Sequence, residues 1–213
     1  MLTLPDSKIT GSKLSSFKNP CNVAVIGASG GIGSALTSEI LLGKPDAKLH
    51  VFSRHRLTGL PDTVKASKIE LENESSVADA ARRVRRHMGP LSAVFVATGL
   101  LHDGQTIQPE KSWRSIDSYS LEQSFRVNTI GPALVAKHFL PLMKNDGKSV
   151  FACLSARVGS IEENRLGGWY AYRASKAALN MIIKTLSIEL SRSNQNAICV
   201  GLHPGTVDTN LSK

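Results

Sequence analysis

Cysteine is scarce in this 213-residue chain, and the few that occur do not pair. Cys21, Cys153 and Cys199 are far apart, odd in number and never in a C-x-x-C spacing, which argues against a dithiol redox motif, a zinc site or any other metal centre. Each lies in or beside an apolar stretch, where a reduced thiol is normally buried, so the expected compartment is reducing and cytoplasmic. Long hydrophobic runs are also missing. No stretch approaches the roughly 18 apolar residues of a membrane helix, and no membrane partner is expected. Acidic side chains are in the minority, 17 against 26 Lys and Arg, for a net charge of +9.

The basic excess could serve a nucleic acid, a solvated surface or an anionic cofactor. Its densest cluster, Arg82, Arg83, Arg85 and Arg86, falls in a helical pattern and lacks the interleaved aromatics that stack on bases. It reads as a solvated helix face, so no nucleic-acid partner is expected, while a positive field would still draw in an anionic cofactor. Residues 1–20 are polar, without an apolar core or arginine, and are expected to be a flexible lead-in rather than a secretory or transit signal. Residues 21–213 suffice for one domain with its own core.

Along that domain, apolar runs alternate with helical spacing. Strands are expected over 23–26, 49–52, 69–71, 93–98, 149–154 and 197–202. Helices are expected over 32–42, stopped by Gly43 and Pro45, over 75–87, with Ser75 and Ser76 as N-cap candidates, over 121–142, with a bend at Gly131 and Pro132, and over 170–190. Long loops fill 100–116 and 155–168. Unbroken apolar strands alternating with helices specify an α/β fold, a doubly wound parallel sheet of the Rossmann-like kind in a single domain. Ligands of such sheets bind beyond the carboxyl ends of the strands, where every glycine-rich or polar loop of this chain lies.

The stretch "VAVIGASGGIGSAL" places Gly27, Gly31 and Gly33 between the first strand and the first helix, with Ser29 and Ile32 among them. Glycines there permit a tight turn and a close approach of backbone to a pyrophosphate at the helix N-terminus. The second strand ends in "HVFSRHR". A bare ribose 2′-hydroxyl is usually held by Asp or Glu at that point, and a 2′-phosphate by Arg. No acid is present, whereas Ser53 and Arg54 are, so NADP(H) is expected.

In "WYAYRASKAALN", Tyr172 and Lys176 are four residues apart and share one helix face, whereas Tyr170 points elsewhere. A free phenol titrates near pKa ~10, and a nearby ammonium favours its phenolate. Tyr172 is therefore the expected acid, with its pKa lowered by Lys176. Ser155 follows the fifth strand, Asn128 lies in a helix where Asn is unfavourable, and Pro204 and Gly205 shape the turn of "HPGTVDT", which also carries Val207 and Thr209.

The set Gly27-x-x-x-Gly31-x-Gly33, Asn128, Ser155, Tyr172-x-x-x-Lys176 and Pro204-Gly205 resembles the short-chain dehydrogenase/reductase family. "SARVGSIEENRLGGWYAYRASKAALNM" and "LHPGTVDTNLS" are similar to its C-factor-like branch. The resemblance implies that Tyr172 is the general acid/base and that Ser155 polarises a carbonyl. It implies that Lys176 binds ribose and lowers the Tyr172 pKa, and that Asn128 positions a water in a proton relay. It also implies that Gly99 admits the adenine ribose, and that Thr209 reaches the nicotinamide region. The chain departs from the family at Ile26, where Thr is usual, and at Ala97-Thr98-Gly99, where an Asn-Asn-Ala-Gly turn is usual. It departs also at Ser155-Ala156, where the family commonly has Ser-Ser with the second Ser catalytic, so that either Ser155 or Ala156 occupies the catalytic place, with Ser160 a further candidate. Family members usually continue past the position of Lys213, so the domain is expected to be C-terminally short. Helices 121–142 and 170–190 are apolar on more than one side, as helices with a partner often are, and the resemblance implies that they pair across the axis of a homodimer.

The expected activity is NADP(H)-dependent interconversion of a small carbonyl compound and its alcohol. A substrate with an apolar part would suit Leu100, Leu101 and Trp169, which are expected to flank the cleft. The competing reading is a catalytically weak or inactive dinucleotide-binding protein with a signalling or assembly role.

Overall fold

The computed structural model describes residues 14–205 and 207. Six strands form one parallel sheet: β1 (Asn22–Ile26), β2 (Lys48–Ser53), β3 (Val64–Lys68), β4 (Ala93–Val96), β5 (Ser149–Leu154) and β6 (Ala197–Leu202), in the order β3-β2-β1-β4-β5-β6. The helices are α1 (Gly31–Gly43), α2 (Glu74–His87), α3 (Ser118–Phe125), α4 (Gly131–Phe139) and α5 (Tyr170–Ser193). This is the doubly wound α/β architecture that the apolar runs specify.

The pleat explains the two-sided core. All five residues of β1 are buried; Ala24 and Ile26 pack with α2, α4 and α5, while Val23 and Val25 face the α1 side with Phe17 and Leu49. Successive side chains point to opposite faces, so a strand covered by helices on both sides must be apolar throughout. Phe139 of α4 meets Phe52 of β2 edge-on, their ring centres 6.0 Å apart.

Chain direction across the sheet reverses at β1. The first three strands run outward on one side, and β4 returns to the other flank of β1, with Ile26 in register with Val96. The carboxyl ends of β1 and β4 therefore open a crevice between diverging loops.

Three expectations need correction. The third strand is Val64–Lys68 rather than 69–71. Ile69 and Leu71 are buried, but they lie past the ladder at the crevice wall, so their apolar character reports burial and not strand pairing. As an edge strand, β3 exposes Lys65 and Lys68, a common way to blunt an open edge. The cap of α2 is Asn73, whose side chain accepts from the Ser76 amide at 3.3 Å, rather than Ser75 or Ser76. Finally, 121–142 is not one bent helix: a π-helical turn, Arg126–Ile130, separates α3 from α4.

The arginines of α2 lie on its solvent side, with Arg82 paired to Asp79, as a solvated face requires. All three cysteines are buried and unbridged. Among the described residues, no helix is long and apolar enough to cross a membrane.

Candidate active site

The glycine turn after β1 is built on close backbone contacts. Gly27 has φ +87°, and a Cβ there would lie 2.7 Å from Thr98 Cγ2 and 2.8 Å from the Ala97 carbonyl oxygen. A Cβ on Gly33 would run into the Gly27 carbonyl oxygen. The turn thus folds over the start of α1 while Ser29 and Gly30 remain at the surface. Gly27, Ser29 and Gly30 line a cleft of about 170 Å³ with Ser53, Arg54, Ile69, Glu70, Leu71, Thr98 and Gly99. The structure brings Gly27, Ser29, Ser53, Arg54 and Gly99 to this one cleft. Gly31, Ile32 and Gly33 stand at the N-terminus of α1 beside it, and Pro204, Gly205 and Val207 follow β6. Thr209 lies outside the described residues.

Two details of the cleft were not legible beforehand. The Ser53 hydroxyl donates to the His55 carbonyl, so it shapes its own loop. Thr98 lines the cleft, but its Oγ1 is buried without a hydrogen-bond partner.

The π-helical turn places Asn128. Its defining bond runs from the Gly131 amide to the Arg126 carbonyl, five residues back, and Pro132 has no N–H to return to the Asn128 carbonyl in an α-helical step. The wide turn carries Asn128 inward, where it is fully buried. Its side-chain oxygen accepts from the Leu100 amide at 2.8 Å, and its NH2 donates to the Leu100 carbonyl at 2.8 Å and to Ser175 Oγ at 3.0 Å. Ser175 in turn donates to the Tyr172 carbonyl, and Thr129 to the Ser175 carbonyl, each at 2.8 Å. A polar ladder therefore ties the loop after β4 to the first turns of α5.

Tyr172 and Lys176 lie on one face of α5, as their spacing requires. Both are buried, and Lys176 Nζ sits 5.7 Å from the centre of the Tyr172 ring. The ammonium donates to the Leu154 carbonyl at 2.8 Å, at the end of β5. Asn128 Oδ1 and Lys176 Nζ each lie 3.7 Å from the point that a Cβ on Gly99 would occupy, so both polar groups converge on a residue that lines the cleft.

The acidity expected of Tyr172 is corrected. Burial pushes its phenol above the ordinary value, and burial likewise lowers Lys176 to about 8. The low-polarity surroundings disfavour the charged form of both partners. At neutral pH the ammonium is still mostly protonated.

Ser155 lies where β5 ends, next to the residue that holds Lys176. Its hydroxyl donates to Asn180 Oδ1 at 2.5 Å, and a Cβ added to Gly201 on β6 would lie 3.4 Å from Ser155 Cβ. Asn180 was not foreseen, although it follows Tyr172 and Lys176 at helical spacing on the same side of α5. Trp169, the residue before α5, adopts left-handed backbone at φ 54° and sets its ring edge-on to Tyr172, with centres 6.4 Å apart.

A parallel, doubly wound sheet with a glycine turn, a cleft at its switch point and a Tyr–Lys pair at the end of that cleft defines a dinucleotide-binding oxidoreductase. The short chain dehydrogenase family matches residues 21–213, and the chain belongs to it. It is 30% identical to the 1-hydroxy-2-glutathionyl-2-methyl-3-butene dehydrogenase of Rhodococcus sp. (strain AD45), over 90% of this chain and 80% of that protein. It is 36% identical to the C-signal protein of Myxococcus xanthus, over 45% of this chain and 57% of that one. Among solved structures it is similar to the carbonyl reductase Sniffer of D. melanogaster, with a TM-score of 0.77 at 26% identity, covering 90% of this chain and 83% of that one.

Proposed function

We propose that the protein is an NADP(H)-dependent oxidoreductase that interconverts a small carbonyl compound and its alcohol, with Tyr172 as general acid/base. The observation that carries this reading is the convergence of Asn128 and Lys176 on Gly99, a residue that also lines the dinucleotide cleft. The chemistry of the matched dehydrogenase and of the similar carbonyl reductase supports the substrate class.

The residues present fit a dinucleotide. A backbone cradle without side chains at Gly27, Gly31 and Gly33, with Ser29 and Ile32, suits a pyrophosphate at the start of α1. Arg54 at the cleft wall supports a 2′-phosphate, and Ser53 holds the loop that presents it. Gly99 leaves room for a ribose. Pro204, Gly205 and Val207 would border the nicotinamide end. Bound there, NADPH supplies a hydride to the carbonyl carbon.

Within that frame, Tyr172 delivers a proton to the carbonyl oxygen. Lys176 lies beside the phenol and stabilises the phenolate that proton loss leaves behind. Ser155 holds the carbonyl oxygen when its hydroxyl turns from Asn180. Asn128 braces the loop after β4 against α5, and its main-chain carbonyl, without an α-helical donor, can accept from a water that resupplies the proton. Leu100, Leu101 and Trp169 favour a substrate with an apolar part.

Exposed apolar side chains at Ile130, Met181 and Ile188 support a homodimer through the 121–142 segment and α5, checked by mass in solution. The unbridged cysteines support a cytoplasmic setting.

The test is a fluorescence titration with NADPH, followed by its oxidation against a panel of aldehydes and ketones. Turnover is expected from the wild type and should fall by about 10²–10⁴-fold in Tyr172→Phe while NADPH still binds. Equal turnover in both proteins would sink the assignment, and binding without any turnover would favour a non-catalytic role.

A further inference from the structure

Helix α5 begins without a cap of its own. Trp169 occupies the N-cap position, where Ser, Thr, Asp or Asn normally accepts from the exposed amides, and an indole has no acceptor to offer. Its left-handed backbone is an arrangement a bulky residue adopts only when its surroundings hold it there.

What holds it comes from far earlier in the chain. Glu110, in the loop between β4 and α3, is 5% exposed. Both of its carboxylate oxygens accept from the Ala171 amide, at 3.2 and 3.3 Å, and its main-chain carbonyl accepts from the Trp169 amide at 2.6 Å. A Cβ on Gly168 would lie 3.1 Å from that carbonyl oxygen, so the two backbones approach as closely as a glycine allows. A carboxylate at a helix N-terminus also faces the positive end of the helix dipole.

Ala171 and Trp169 bracket Tyr170, and Tyr172 is the very next residue. Its phenol is placed by whatever fixes this first turn, and so is its ring contact with Trp169. We propose that Glu110 is a positioning residue: it supplies the missing cap of α5 and so sets where the Tyr172 phenol stands relative to Lys176. In its kinetic consequence this rests on the oxidoreductase reading above. A loop carboxylate that would otherwise pass for a surface acid becomes part of the machinery that aims the acid/base group.

The experiment uses Glu110→Ala, Glu110→Gln and the unchanged Glu110 protein, all in a Trp113→Phe background that leaves Trp169 as the single tryptophan. Trp113 is exposed, so this background should keep the fold. Amide hydrogen exchange at Ala171 and Trp169 fluorescence are read without substrate; NADPH affinity and kcat are read separately. Glu110→Ala should speed Ala171 exchange at least tenfold, shift the Trp169 emission, and lower kcat at least tenfold with NADPH affinity changed less than twofold. Glu110→Gln retains a side-chain carbonyl acceptor and should recover most of both signals, which also covers the case in which the alanine variant folds poorly. Unchanged Ala171 exchange, or faster exchange with kcat intact, overturns the proposal. If the unchanged protein binds NADPH but reduces nothing, the oxidoreductase reading fails, and the exchange and emission data alone decide whether Glu110 fixes the start of α5.

Discussion

The Ser155 hydroxyl donates its proton to the side-chain oxygen of Asn180, 2.5 Å away. A hydroxyl has one proton, so in this arrangement Ser155 has none to give to a substrate oxygen. Turning the Asn180 amide over would let its NH2 donate to Ser155 and release that proton. Aspartate can only accept when ionised, and would hold it. Asn180→Asp is therefore expected to lower kcat by roughly tenfold, the usual scale of one lost donor at a reacting oxygen or somewhat below it. Asn180→Ala should stay within a few-fold of wild type. Steady-state kinetics with matched cofactor affinities check this, and the opposite ranking would mean that Asn180 itself works on the substrate.

Cofactor choice should turn on Arg54. The cleft wall offers this guanidinium at the end of β2, while the carboxylates of Glu70 and Glu72 come from beyond β3. Arg54→Ala is expected to weaken NADPH binding about tenfold or more, with little effect on NADH, because a charge-assisted contact to phosphate is lost. Equilibrium titration of both nucleotides reads the ratio; equal losses for the two would place Arg54 elsewhere in recognition.

Gly27→Ala should be costly twice over. A side chain at φ +87° is strained by roughly 1–3 kcal/mol, and its methyl would press on Thr98 and Ala97. Urea unfolding is expected to show at least that loss, and nucleotide binding should fall with it. A neutral result would mean that the turn is free to rearrange.

Lys176 gives the cofactor-free protein a signature in pH. Its native value, about 8, lies below its ordinary 10.5 because of burial. Between those values the unfolded chain keeps a proton that the native protein has released, so this residue makes stability rise with pH. The penalty is fully present below about pH 8 and relieved by pH 10.5, a swing of roughly 3 kcal/mol at most. Tyr172 and the thiols of Cys153 and Cys199, all raised by burial, slope the other way. The comparison of wild type with Lys176→Met isolates the lysine: the stability difference should move in favour of wild type between pH 7 and 10. A flat difference would show that the ammonium is not desolvated.

Much of this architecture could be read from spacing. Five of the six strands and the long helix α5 fell where apolar runs and 3.6-residue periodicity placed them, because burial on two faces leaves a one-dimensional trace. The failures share a cause. The strand Val64–Lys68 pairs through its backbone while most of its side chains are polar or exposed, so hydropathy favoured Ile69 and Leu71 instead. The π-helical turn at Asn128 left a trace only in Pro132, which could equally have signalled a simple bend.

The order of residues along the chain determined the doubly wound sheet, the glycine turn, and the placement of Tyr172 and Lys176 on one helical face, because each depends on neighbours a few positions apart. Folding alone decided that Asn128 and Lys176 meet at Gly99, that Asn180 takes the proton of Ser155, and that Glu110 closes the start of α5. Those partners lie at least 25 positions apart in the chain. No local pattern records such contacts, and their energies exist only once water has been excluded from between them.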